Sequence, residues 1–254
     1  ASHERNGSLD SCDRISPMIR DENSPDEFEN LYMCEFVKDG ESAFNLSQLL
    51  GCGADGYDDW PDWKPFASRP MGQREVWLGY DANGGSGNGD AGALSVTVPP
   101  LVAGGRFRTV ELKQLRGLEF EQQAAVIKEA AERYNVTHIA IDGQGVGEAV
   151  WQIVKNWFPA AICYQMSLSS KRALVLKMLQ VIRAGRWEYD RSEQGLVRAF
   201  NTVRKVVTPG GFITYETDRS RGVSHGDMAW ATMLSIINEP LGQESGGGGF
   251  AMGW

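Results

Sequence analysis

Cysteine is scarce and scattered, with Cys12, Cys34, Cys52 and Cys163 the only four in 254 residues. They have neither the paired spacing of a zinc site nor the density of a secreted disulfide scaffold, and so point to a reduced, cytoplasmic setting. No apolar run approaches the roughly 18 residues that a membrane span needs. No basic segment followed by an apolar stretch opens the chain as a secretion signal would. The phosphate-loop pattern GxxxxGK(S/T) is missing too. The glycine-rich stretch at 84–89 has no lysine after it, so ATP hydrolysis is not expected of this sequence.

An overall positive charge is also lacking. The net charge of -8 argues mildly against a nucleic-acid partner, because phosphate binding rewards Lys and Arg. The average conceals a split. Residues 1–70 carry fifteen acids and six bases, whereas residues 171–221 carry eleven bases and five acids. Many of those bases are accounted for as solvated helix faces, yet a local basic surface is available.

What is present suits one large domain or a domain with an appendage, and a hydrophobic share of 42% can fill its core. The first 25 residues are polar and without period, and 26–36 fits a short helix. Residues 51–72, rich in Gly, Asp, Pro and Trp, read as a linker or an irregular wrap. Strands are then expected at Glu75–Asp81, Ala93–Val98 and about Arg106–Leu115, followed by a helix over Phe120–Tyr134. The short apolar run His138–Asp142 reads as a strand buried on both faces. After the GQGVG turn come a helix at Glu148–Trp157, a strand at Ala161–Met166 and a helix at Ser170–Ala184 stopped by Gly185. A helix at Glu193–Val206, a hairpin about Pro209–Gly211 and a last helix from Asp227 to before Pro240 complete the pattern. Three strands in succession, then strands alternating with helices, predict an α/β mixed sheet flanked by helices on both faces.

Two aspartates share a kind of position. Asp81 ends the first strand and Asp142 a central one, and side chains at strand ends open into the crevice where α/β proteins place their sites. Asp227 falls at the start of the last helix, where exposed N–H groups and the helix dipole favour a carboxylate. Each alone could be a turn or cap residue. Three carboxylates meeting in one crevice repel one another unless a cation sits between them. Hard divalent ions take such oxygen ligands, and a pair of them suits phosphodiester hydrolysis.

The segments SPDEFENLYMCEFV (24–37), VWLGYD (76–81), GD (89–90), RYNVTHIAIDGQGVGEAVWQIV (133–154) and SHGDMAWATMLSIINEPL (224–241) go further. In this order they resemble the C-terminal nuclease domain of the large terminase subunit of tailed bacteriophages, the motor that packages DNA. The resemblance is to the branch of the P2-like terminase ATPase subunits. It implies an RNase H-like fold that cuts double-stranded phage DNA concatemers with two divalent ions, Mg²⁺ or Mn²⁺. On it, Asp81 would bridge both ions, and Asp142 and Asp227 would complete one each. Asp90 is a further candidate ligand, His225 could orient water or phosphate, and Lys171 and Arg172 are candidate phosphate contacts. The implied partners are double-stranded DNA and, in the full motor, the terminase small subunit and portal, in the host cytoplasm and without a membrane. Residues 1–72 would be an acidic extension and linker resembling the end of the motor region, 73–241 the nuclease domain and 242–254 a flexible tail. With no phosphate loop, the chain is expected to be an excised domain or a truncated subunit. Gly226 departs from the pattern, in which a bulkier residue is expected before the aspartate. As a glycine it adds backbone freedom beside Asp227.

Two other readings use some of the same residues. YDANGGSG faintly resembles the phosphate loop of an actin-like phosphotransferase, although the length is short for its duplicated domain. A non-catalytic DNA-binding or assembly module would leave the acids without a reaction to perform.

Overall fold

The computed structural model describes residues 42–82, 91–217 and 226–239. The expectations for residues 1–41, Asp90, His225 and the tail lie outside them. In chain order the first elements are helix α1 (Leu46–Gly51), strand β1 (Gly53–Ala54) and helix α2 (Gly56–Asp59). Strands β2 (Glu75–Asp81), β3 (Gly92–Val98) and β4 (Phe107–Leu115) follow, then helix α3 (Phe120–Arg133) and strand β5 (Asn135–Asp142). Next come α4 (Val146–Lys155), β6 (Ile162–Tyr164), α5 (Leu168–Arg183), β7 (Trp187–Asp190) and α6 (Gln194–Asn201). Strands β8 (Val203–Val207) and β9 (Ile213–Thr217) and helix α7 (Asp227–Ser235) finish the described chain.

Seven strands form one sheet in the order β1-β7-β4-β3-β2-β5-β6. The β2–β3 and β3–β4 pairs are antiparallel, and β5 and β6 add in parallel beside β2. On the other side β7 adds parallel to β4, and β1 to β7. Part of the stretch read as a linker thus supplies an edge strand. Strands β8 and β9 make a separate antiparallel hairpin, to which the entering chain adds by the Ala43 N–H donating to the Val203 carbonyl (2.8 Å).

One expected helix is shorter than its pattern. Leu196, Phe200 and Val203 fall at helical spacing, which extends the apparent stripe through Val206. The helix nevertheless ends at Asn201, because residues 203–206 alternate buried and half-buried and Val203–Val207 pairs with Ile213–Thr217. Branched residues on a paired, half-buried ribbon outweigh a short helical period.

Period-two alternation divides the core. Leu78, Tyr80, Leu94, Val96, Ile139 and Ile141 face α3 and α4, which contribute Ala124, Ile127, Val150 and Val154. Trp77, Ala93 and Ala140 face the opposite way, toward α5 and α7. On that second face α7 comes down on bare backbone. A Cβ built at Gly79 would lie 1.9 Å from the Ala231 carbonyl oxygen and 2.4 Å from the Ser235 nitrogen, so only glycine fits. Beside it runs a buried hydroxyl chain. Thr97 meets Ser235 at 2.7 Å and Thr109 at 3.2 Å, Thr232 donates to Ser95 at 3.3 Å, and the Trp187 indole N–H donates to Thr109 at 3.0 Å. Each hydroxyl is thereby satisfied where no water reaches.

Just past α7, Glu239 is clamped. The ammonium of Lys177, almost fully buried, donates to its carboxylate at 2.7 Å and to its carbonyl at 3.0 Å, while Arg186 engages the other carboxylate oxygen. These groups form one wall of a cavity of about 460 Å³ whose other wall is Trp77 and the Pro99–Gly104 turn.

Replacing Gly79 by Ala must push α7 off the sheet. We expect Gly79→Ala to lose roughly 3 kcal/mol or more, read as a lower midpoint in urea. An unchanged midpoint would refute the backbone contact. His138 gives a second test. It is 5% exposed, its Nε2 has no hydrogen-bond partner among the described residues, and burial lowers its pKa to about 4 despite Glu75 nearby. Between about 6.5 and about 4 the unfolded chain therefore holds a proton that the folded chain does not, and stability falls as pH falls. His138→Leu should flatten that limb by up to about 1.4 kcal/mol per pH unit, measured by urea titration at several pH values. An acid limb of unchanged slope would contradict it.

Candidate active site

The alternation that sorts the core also aims two carboxylates. Gly79 and Ala140 point to the α7 face, so Asp81 and Asp142, two residues further along each strand, point there too. The register of the parallel pair places Gly79 beside Ala140 and Tyr80 beside Ile141, which brings Asp81 alongside Asp142. A side-chain hydrogen bond joins them. Helix α7 crosses Gly79 with Ala231, one turn after its first residue, Asp227. That geometry carries Asp227 to the strand ends, where its charge acts on Asp81.

Asp81 is 8% exposed. Burial foremost, then the charges of Asp227 and Asp142 and the hydrogen bond to Asp142, hold its carboxyl well above the usual range, with Lys171 opposing. Asp142 is raised chiefly by burial, and the Gln144 N–H (2.9 Å to Oδ1), Lys171 and Asp81 restrain the rise. Both carboxyls are thus held above the ordinary range, Asp81 the more strongly, where like charge adds to burial. Among the described residues no group of three or more His, Cys, Asp or Glu side chains is arranged as it stands to hold an ion.

The turn after Asp142 explains its fixed position. Gly145 takes φ +57°, and a Cβ at Gly147 would lie 1.7 Å from the Asp142 carbonyl oxygen, so α4 starts hard against the strand end. The Gln144 amide ties the turn to the Met166 carbonyl at 2.8 Å.

Lys171 and Arg172 diverge. Lys171, in the first turn of α5, acts electrostatically on both Asp81 and Asp142. Arg172 lies over the Phe212 ring at 5.8 Å, on the hairpin. Asp90 and His225 fall outside the described residues.

One neighbour escaped the sequence reading. Cys163 pairs with Ile141 in the sheet, and its thiol is raised mainly by burial, with Glu148 and Asp142 also contributing against a Gln165 hydrogen bond. Its place beside a strand ending in an acid was the available signal. Gly226 also has a different role from the one its residue type suggests. Its φ is -79°, which any residue adopts, so freedom is not what it supplies. A Cβ there would meet Thr217 Cγ2 at 2.0 Å and Cβ at 2.8 Å.

An antiparallel three-strand meander extended by two parallel strands, with a helix on the central strand carrying an acid to two strand-end acids, is the RNase H-like class. The family model described as the Terminase RNaseH-like domain matches residues 78–239. The chain belongs to that family. It is 45% identical over 224 residues to the terminase ATPase subunit of Escherichia phage P2, and 35% identical over 216 residues to the probable terminase ATPase subunit of Haemophilus phage HP1. These alignments take in 88% and 84% of this chain but 38% and 35% of those proteins, so it spans little more than a third of their length. Among solved structures, the large terminase nuclease of thermophilic phage G20c, crystallised with bound magnesium, has the same fold. The TM-score is 0.58 at 19% identity, covering 77% of this chain and 96% of that one.

Because the folded state resists ionising Asp81, stability should fall as pH rises above the ordinary carboxylate range. Asp81→Asn removes the repulsion and should stabilise the protein at neutral pH in EDTA by roughly 1–3 kcal/mol. A melting temperature at or below wild type would argue against the cluster.

Proposed function

We propose that this chain is a divalent-metal-dependent endonuclease that cuts double-stranded phage DNA concatemers during genome packaging. The observation that carries the reading is the convergence of Asp81, Asp142 and Asp227 from two strand ends and one helix start onto a single face. A buried carboxylate such as Asp81, with two like charges acting on it, is favoured by a proton or a neighbouring cation. The donor set is all oxygen, which fits Mg²⁺ or Mn²⁺ rather than a softer ion. The G20c nuclease, whose structures hold magnesium and cobalt, supports divalent chemistry on this fold.

Asp81, between the other two acids, would bridge two ions, with Asp142 and Asp227 each completing one. Bound there, the ions would supply the Lewis acidity that activates water and stabilises the leaving oxygen. The chain's own part is to hold three acceptors rigidly. Asp142 is fixed by the Gln144 N–H, and the seat of α7 on Gly79 brings Asp227 to the strand ends. Lys171, whose charge acts on both Asp81 and Asp142, would contact the scissile phosphate, and Arg172, over the Phe212 ring, would extend the basic surface toward the hairpin. Contacts of this kind read phosphate rather than base edges, so cutting should be nearly independent of sequence. Asp90 and His225 are assigned supporting roles, as a further ligand and as an orienter of water or phosphate. The remaining length of the phage relatives would supply the motor, with the terminase small subunit and the portal as its partners in the host cytoplasm.

The test is plasmid cleavage. Mn²⁺ or Mg²⁺ should support it and Ca²⁺ should not, and Asp142→Ala should slow it by roughly 100-fold or more. Equal rates for wild type and Asp142→Ala under every metal would sink the proposal, and a sharp site-specific pattern would overturn its sequence independence.

A further inference from the structure

Among the described residues hairpin β8–β9 is a sheet of its own, unpaired with the seven strands, yet it touches both elements that flank the carboxylates. Its last residue, Thr217, packs against Gly226, the residue immediately before Asp227, so closely that a single methyl group there could not fit. Further back, the Thr214 hydroxyl donates to the Leu168 carbonyl at 3.2 Å, in the first turn of α5, and Phe212 lies under Arg172 of the same turn. That turn bears Lys171. Between these contacts Tyr215, 1% exposed, is sunk in the same core as Met228 and Trp230 of α7, so the hairpin is anchored rather than draped.

We infer that the β8–β9 hairpin is a positioning element for the metal site: Thr217, through Gly226, sets where Asp227 stands, and Thr214 and Phe212 set the turn that presents Lys171. The inference rests on the nuclease reading above and adds to it the part that fixes the third ligand. Gly79 and the hydroxyl chain hold the body of α7, but nothing in them fixes its first residue. Gly226 has no side chain with which to cap the helix, and the Gly226 carbonyl accepts from the Ala229 and Trp230 N–H groups at 2.9 and 3.1 Å. Contact with Thr217 therefore defines where that capping residue, and with it Asp227, is placed.

Mn²⁺ binding, followed by the loss of the free-ion paramagnetic resonance signal, tests this without requiring turnover. Gly226→Ala should raise the half-saturating Mn²⁺ concentration by about tenfold, as expected when a residue supporting a ligand is lost. Thr217→Gly removes all three atoms that the new methyl meets, so the double variant should recover most of the affinity. A merely structural role would lower the melting temperature without this reciprocal rescue of metal affinity. If Gly226→Ala does not fold, Thr217→Ala loosens the contact from the other side and should weaken binding in the same direction. Wild type that binds Mn²⁺ while folded Gly226→Ala binds it equally well, or a folded double variant without recovery, would overturn the inference alone. Wild type that binds no Mn²⁺ at millimolar levels would overturn the functional reading and this inference with it.

Discussion

Everything at the proposed site depends on one approach of backbone to backbone, that of α7 onto β2 at Gly79. A helix normally stands off a sheet by the thickness of its side chains. Here glycine on the strand, with Ala231 and Ser235 on the helix, removes that thickness, and the hydroxyls of Ser95, Thr97, Thr232 and Ser235 satisfy one another in the gap. Without it, a carboxylate at the first turn of the helix would not reach the ends of β2 and β5. Core packing and site assembly are thus the same interaction.

The site is held against its own electrostatics. Asp81 is buried between two other acids, and burial and like charge both oppose its ionisation. Polar clusters of this kind persist because the surrounding fold over-determines them. The fold does so from three sides, by the strand register, by the tight Gly145–Gly147 turn and by the seated helix.

Much of this was legible in the amino acids, for identifiable reasons. Asp81 and Asp142 stand out because each closes a short apolar strand, and strand alternation assigns their direction once the register is known. The central strands and helices α3 to α5 follow from long, clear periods. What escaped was short or ambiguous. Trp187–Asp190 and Gly53–Ala54 are too brief to show a period, and Val203 satisfies a helical stripe and a strand alternation equally. The partner of Gly226 could not be read at all, because Thr217 is its neighbour only in space. A glycine suggests freedom from its residue type, whereas here it is needed for its small size. Asp90 and His225 lie outside the described residues.

The Glu239 clamp has a mechanical consequence. Lys177 and Arg186 grip the chain just after α7, and Gly79 seats the helix between Ala231 and Ser235, so both constraints act on its C-terminal half. At the helical rise, Asp227 lies about 9 Å from the middle of that seat. A tilt of roughly 6° about that seat would move Asp227 by about 1 Å, a shift of the size that alters rates on the order of a hundredfold at a reacting centre. The Thr217–Gly226 contact at the helix start opposes it. The position of Asp227 thus depends on the angle of one short helix as well as on the sheet beneath it.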